Sequence, residues 1–129
     1  MTPHDWTPSV GAVTLIVNDL DASKTFYSAA FGTAVIYEND DSVVFKFGET
    51  LINALHRSSA DELLAPSAAG TADQPPKVVF TVQVPDTDTY CGKLAEKGIE
   101  LLNGPMTRPW GPRTASFADP DGHVWEIAS

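Results

Sequence analysis

Two stretches of this chain follow one plan. Ala12–Val17 is an apolar, β-branched run closed by Asn18-Asp19. A helical pattern follows from about Ala22 to Phe31, with Phe26, Tyr27, Ala30 and Phe31 on one stripe and Gly32 as its stop. About 67 residues later the plan returns. Lys77–Val84 is again a buried-strand run, Pro85-Asp86-Thr87-Asp88 ends it, and a helical pattern from about Thr89 to Lys97 stops at Gly98. In each half an Asp stands where a helix needs an acceptor for its free N–H groups, Asp19 or Asp21 in the first and Asp86 or Asp88 in the second. A unit of this length has too small a core to stand alone, so the two halves must share one.

Each helix is followed by short alternating runs. Ala34–Glu38, Ser42–Phe47 and Thr50–His56 read as strands in the first half, separated by Asn39-Asp40-Asp41 and Gly48-Glu49. In the second half, Ile99–Leu102, Arg113–Ala118 and His123–Ala128 read as strands, with Asn103–Pro112 as a Pro- and Gly-rich loop. Both halves are therefore β-α-β-β-β. Between them, residues 57–76 are rich in Ala, Ser, Pro and Gly and read as a linker, with a helical turn or two over Asp61–Ala65. Met1–Ser9 reads as an arm. The fold class is α+β, one domain over 1–129 with modules at 10–56 and 77–128.

Charge and cysteine count narrow the function. Seventeen acids against eight bases give −9, which argues against a nucleic-acid or anionic-membrane partner and suits a cationic one. The single cysteine, Cys91, excludes an internal disulfide and a cysteine-based zinc site, and on an apolar helix face it reads as an inert core thiol. No run is long and apolar enough to span a membrane, and the first ten residues do not have the pattern of a signal peptide, so the cytoplasm is the expected location.

The C-terminal stretch from Phe117 to Ile127 holds the most specific chemistry. Asp119-Pro120-Asp121-Gly122 is turn chemistry, with Pro presetting φ and Gly free to take the left-handed value. In the strand that follows, Trp125 and Ile127 form the core face, which leaves Glu126 on the other face in mid-strand. A carboxylate there can bind a cation or move a proton, or it can be a structural group bonded to neighbours such as Asn53 or Thr14. Arg108, Trp110 and Arg113 lie in or beside the long loop: the arginines could grip a carboxylate or phosphate, and Trp110 could stack on a ligand. The alternative is that Arg113 pairs with Asp119 or Asp121 and Trp110 plugs the core edge. Phe45, Phe117, Phe47 and Tyr37 could line an aromatic pocket, although strand aromatics are ordinary core material. His56 ends a strand and could face a cleft. With His4 in the arm and His123 at the turn, the histidines are scattered rather than set at ligand spacing.

The pair of βαβββ modules, Val17-Asn18-Asp19-Leu20-Asp21-Ala22-Ser23 with Phe26-Tyr27 and Phe31-Gly32, and the Asp119-to-Glu126 ending together resemble the vicinal oxygen chelate superfamily, the glyoxalase, bleomycin-resistance and extradiol-dioxygenase group. The loop from Asn103-Gly104-Pro105 to Trp110-Gly111 resembles a bacterial glyoxalase-like branch. The resemblance implies a curled mixed sheet around a cleft, a homodimer and, in metal-using members, one divalent ion held from the first and last strand of each module. Those positions fall on Ala12, Asn53, Val79 and Glu126 here, and only Glu126 is a usual ligand. The expectation is no metal and no other cofactor, and a binder of small aromatic or cationic molecules lined by Asn53, Glu126 and aromatics. The alternatives are a glyoxalase- or lyase-type enzyme, with an unusual metal site or with Glu126 as a metal-free base, and a protein-interaction subunit.

Overall fold

A computed structural model describes residues 6–129; the first five residues of the N-terminal arm, His4 among them, lie outside it. The first module is β1 (Ala12–Val17), α1 (Leu20–Phe31), β2 (Val35–Glu38), β3 (Ser42–Phe47) and β4 (Thr50–His56). A short 3₁₀ turn (Arg57–Ser59) and α2 (Ala60–Leu64) open the linker. The second module is β5 (Val79–Gln83), α3 (Thr87–Glu96), β6 (Asn103–Thr107), β7 (Arg113–Ala118) and β8 (Val124–Ala128). Asp19 caps α1 by accepting from the Ala22 N–H at 3.0 Å, and Asp86 caps α3 by accepting from Thr89 N–H at 2.9 Å. Both helices thus begin earlier than their apolar stripes suggest, directly after the capping Asp.

One strand differs from the sequence expectation. Ile99–Leu102 is not a strand; the pairing segment is Asn103–Thr107, inside what reads as loop. Gly104 and Pro105 are tolerated because β6 is an edge strand that bonds only to β7, and the ladder is irregular between Asn103 and Met106.

Each module forms a four-stranded sheet, β1-β4-β3-β2 and β5-β8-β7-β6, with the first and last strands of each module parallel and the other pairs antiparallel. Strand alternation gives each sheet one apolar face. Leu15, Val17, Val43, Phe45, Ile52 and Ala54 supply it in the first sheet, and Ala115, Phe117, Trp125 and Ile127 in the second. These two faces meet in one core. Phe47 of β3 stacks on Trp125 of β8 with centroids 5.3 Å apart, and the α1 rings bridge both sheets: Tyr27 lies 5.2 Å from Phe45 and 5.7 Å from Trp125. The opposite faces point away from the core, and the sheets do not close around a common cleft.

Four hydrogen bonds among the described residues tie the modules together; one of them runs from Trp125 Nε1 to Tyr27 Oη at 3.0 Å. Tyr27 Oη donates to Asp119 Oδ2 at 2.5 Å, Asn18 N–H donates to Asp121 Oδ1 at 2.9 Å, and Tyr90 Oη donates to the Ala30 carbonyl at 2.5 Å, filling an acceptor that the end of α1 leaves open.

Two glycines give opposite expectations. Gly122, in the turn, has φ +86°, and an added Cβ would lie 2.8 Å from the Ala72 carbonyl oxygen. Gly122→Ala should therefore cost about 1–3 kcal/mol in urea denaturation. Gly92, within α3, has open space around it, so Gly92→Ala should gain about 0.4–1 kcal/mol.

Candidate functional site

The outward faces of the sheets carry matched rows. In the first sheet Thr14, Asn53 and Val44 stand side by side; in the second, Thr81, Glu126 and Ser116 do. Thr81 Oγ1 donates to Glu126 Oε1 at 2.9 Å, which fixes a half-buried carboxylate in mid-sheet. Asn53 is half-buried, and its Oδ1 is shut from solvent with no hydrogen-bond partner among the described residues. Such an acceptor is costly unless something donates to it. Asn53 and Glu126 stand on different sheets, on faces that both turn away from the core, so a single chain does not bring them together. The structural partner of Glu126 is Thr81, not Asn53 or Thr14.

Phe45 and Phe117 are both 0% exposed and belong to the core face, so neither lines an outward face. Phe117 pairs with Trp125 across the hairpin and shares its side. His56 does not face the row either. It caps the 3₁₀ turn, its Nδ1 accepting from Ser58 N–H at 3.1 Å and bonding Ser58 Oγ at 2.7 Å. Arg108 is spent locally: Nε donates to Thr114 Oγ1 and Nη2 to Asn103 Oδ1, both at 2.7 Å. Arg113 does form an ion pair, but with Asp88 rather than Asp119 or Asp121, through Nε at 2.7 Å and Nη2 at 3.0 Å. Hydrogen bonding to that carboxylate raises the arginine's pKa, and the same bond lowers that of Asp88. Trp110 is 73% exposed at the tip of the β6–β7 loop rather than plugging the core edge.

Asp119 and Asp121 are occupied elsewhere. Asp119 is fully buried at its side chain. Its Oδ1 accepts from Asp121 N–H at 2.9 Å and His123 N–H at 2.8 Å; its Oδ2 takes Tyr27 Oη and lies 2.8 Å from His123 Nδ1. Trp125 Nε1 in turn donates to Tyr27 Oη at 3.0 Å. Burial, then the Asp119 charge and hydrogen bond, push the Tyr27 phenol pKa far up, so it stays a donor. For His123, burial pulls the pKa down, but the Asp119 hydrogen bond and charge, helped by Asp121, more than reverse this and leave it raised.

The metal positions inferred from the resemblance do not form a chelating set. Ala12 and Val79 have hydrocarbon side chains, Asn53 offers an amide, and only Glu126 supplies a carboxylate. Among the described residues no three His, Cys, Asp or Glu side chains gather in a way that could hold an ion. The residues present do not fit the divalent ion of the metal-using relatives.

Fold and faces define a protein of paired βαβββ modules, with polar groups planted mid-sheet on outward surfaces. The family model for the Glyoxalase/Bleomycin resistance protein/Dioxygenase superfamily matches residues 9–127, and the chain belongs to that superfamily. Among solved structures it is similar to a glyoxalase-related enzyme from Fulvimarina pelagi, at 27% identity and TM-score 0.81, covering 95% of this chain and 88% of that one. It is also similar to a glyoxalase/bleomycin resistance protein/dioxygenase from Nocardioides, at 23% identity and TM-score 0.84, covering 97% and 85%. Lactoylglutathione lyase from Agrobacterium tumefaciens matches at 20% identity and TM-score 0.75, covering 95% and 93%. The last two likenesses bear on the fold alone.

The raised His123 pKa gives a pH prediction. Protonated His123 is better stabilised in the folded chain than in the unfolded one, so its contribution is full below its ordinary pKa of about 6.5 and lost as pH rises through the folded value. Urea unfolding should show stability falling from pH 6 to pH 8, and His123→Asn should flatten that fall.

Proposed function

We propose that this protein binds a small aromatic or cationic molecule in a cleft completed by a second copy, without the metal of its chelating relatives. The observation that carries this reading is the pair of mid-sheet polar groups without a chelating set: Glu126, held by Thr81, and Asn53, with an unfilled buried acceptor. A cationic ligand bearing N–H groups would satisfy both. Glu126 would supply the charge-assisted contact, the stronger kind of hydrogen bond, and Asn53 Oδ1 would accept a donor it now lacks.

Pairing of two copies supplies the enclosure that one chain lacks. If the first-sheet face of one copy meets the second-sheet face of another, the Asn53 row faces the Glu126 row. Val79, 55% exposed at the start of the edge strand β5, and Val78, 56% exposed beside it, are apolar surface that such pairing would cover. Ala12 and Val79 then make the walls apolar where chelating side chains would stand in a metal-using relative.

Four measurements test the reading. Light scattering should give a dimer mass. Thermal shift against aromatic cations, bleomycin included, should give a hit worth about 2.7 kcal/mol at a hundredfold excess over Kd. Glu126→Gln should weaken that hit about tenfold while leaving unliganded stability nearly unchanged. Stoichiometric bound metal that Glu126→Ala removes would contradict the metal-free reading.

A further inference from the structure

One cavity lies away from the Asn53 and Glu126 rows, and neither residue lines it. It has a volume of about 750 Å³ and sits beneath the 68–77 segment of the linker, against the ends of β1 and β4 and the turn before β8. Arg57, Lys77 and His123 reach it from three separate elements, with Asn18 and Asp121 completing the polar wall.

Each cationic group is available in a specific way. The Arg57 guanidinium is aimed by the Gly70 carbonyl, which accepts from Nη2 at 2.7 Å and Nη1 at 3.2 Å; a backbone carbonyl orients the fork without neutralising it. Lys77 forms no ion pair among the described residues. His123 spends Nδ1 on Asp119, leaving Nε2 as the ring nitrogen with no partner among the described residues. Asp119 lies behind the ring and favours its protonated form. Asp121, the one carboxylate in the wall among the described residues, already accepts Asn18 N–H and feels both the Arg57 and His123 charges. It offsets one positive charge of the set. In a chain of net charge −9, a cavity wall that is positive on balance is a local reversal.

We propose that this cavity binds a small oxyanion, carboxylate or phosphate, between Arg57, Lys77 and His123. Arg57, whose Nη1 and Nη2 each give one N–H to Gly70, has its remaining N–H groups to offer an anion, and Lys77 and His123 Nε2 supply point donors from the other sides. The site is independent of the outward faces, so it stands or falls separately from the binding function proposed there.

The test is an NMR titration of the full chain, following the His123 ring proton resonance, identified by its loss in His123→Gln. Citrate and inorganic phosphate serve as probes, with chloride at matched ionic strength as reference. The expected result is a saturable shift with at least one probe and none with chloride; the tighter probe tells carboxylate from phosphate as the ligand chemistry. Lys77→Ala, at an exposed position, should fold normally and weaken binding about tenfold, while Lys93→Ala on α3 should not change it. A drift that does not saturate, a response to chloride alone, or saturable binding that Lys77→Ala leaves intact overturns the proposal.

Discussion

A buried carboxylate holds this molecule together. Asp119 lies at the end of β7 with its side chain fully enclosed, and it is held there by two backbone N–H groups of its own turn, by the Tyr27 hydroxyl from the other module and by the His123 ring. An ionised group buried without partners would be prohibitively costly, and partial satisfaction would be little better. The Asp119 bonds can all form only when the hairpin turn is closed and α1 lies against the second sheet. One side chain therefore makes the local turn and the long-range docking of the modules conditional on each other. The aromatic cluster around Tyr27 and Trp125 supplies the apolar driving force, but apolar contact is not directional. The hydrogen bonds from Trp125 to Tyr27 and from Tyr27 to Asp119 fix which packing is adopted.

That docking decides where function can lie. Because the helix-bearing faces of the sheets meet, the mid-sheet polar groups face outward. Glu126 and Asn53 occupy corresponding strands of the two modules, each beside a threonine from the module's first strand, Thr81 and Thr14. The repeat keeps the two positions in register while the chemistry diverges: a carboxylate in one, an amide with an unfilled acceptor in the other. Ala12 and Val79 put hydrocarbon side chains at the positions where the resemblance places metal ligands, which is the composition that the proposed metal-free cleft requires. The same docking shapes the second candidate region, since Asn18 at the end of β1 and Asp121 in the β7–β8 turn are joined by a hydrogen bond and together wall the cavity under the linker.

The architecture was largely legible in the sequence because it is written in short-range signals. Strand alternation placed Trp125 and Ile127 inside and Glu126 outside, and the Asp caps and Gly stops bracketed both helices. The edge strand β6 was not legible, since Gly104 and Pro105 carry loop chemistry and only pairing with β7 makes them a strand. Phe45 and Phe117 read equally well as pocket or core. The hairpin register that pairs Phe117 with Trp125 is what puts Phe117 inside. The partners of Arg113 and Asp119 depend on which elements pack together. Asp88 reaches Arg113 because the first turn of α3 lies near the start of β7, and no local pattern encodes that. In the sequence Asp119 reads as turn chemistry or as a partner for Arg113; its Tyr27 partner is 92 residues away in sequence.

A double-mutant cycle between Tyr27→Phe and Asp119→Asn, read by urea denaturation at pH 6, tests most directly whether this carboxylate couples the modules. A coupling energy of about 1–3 kcal/mol is expected for two residues in one buried network. Additive losses, within about 0.3–0.5 kcal/mol, would show that the turn and the module interface are stabilised separately and would contradict the role given to Asp119.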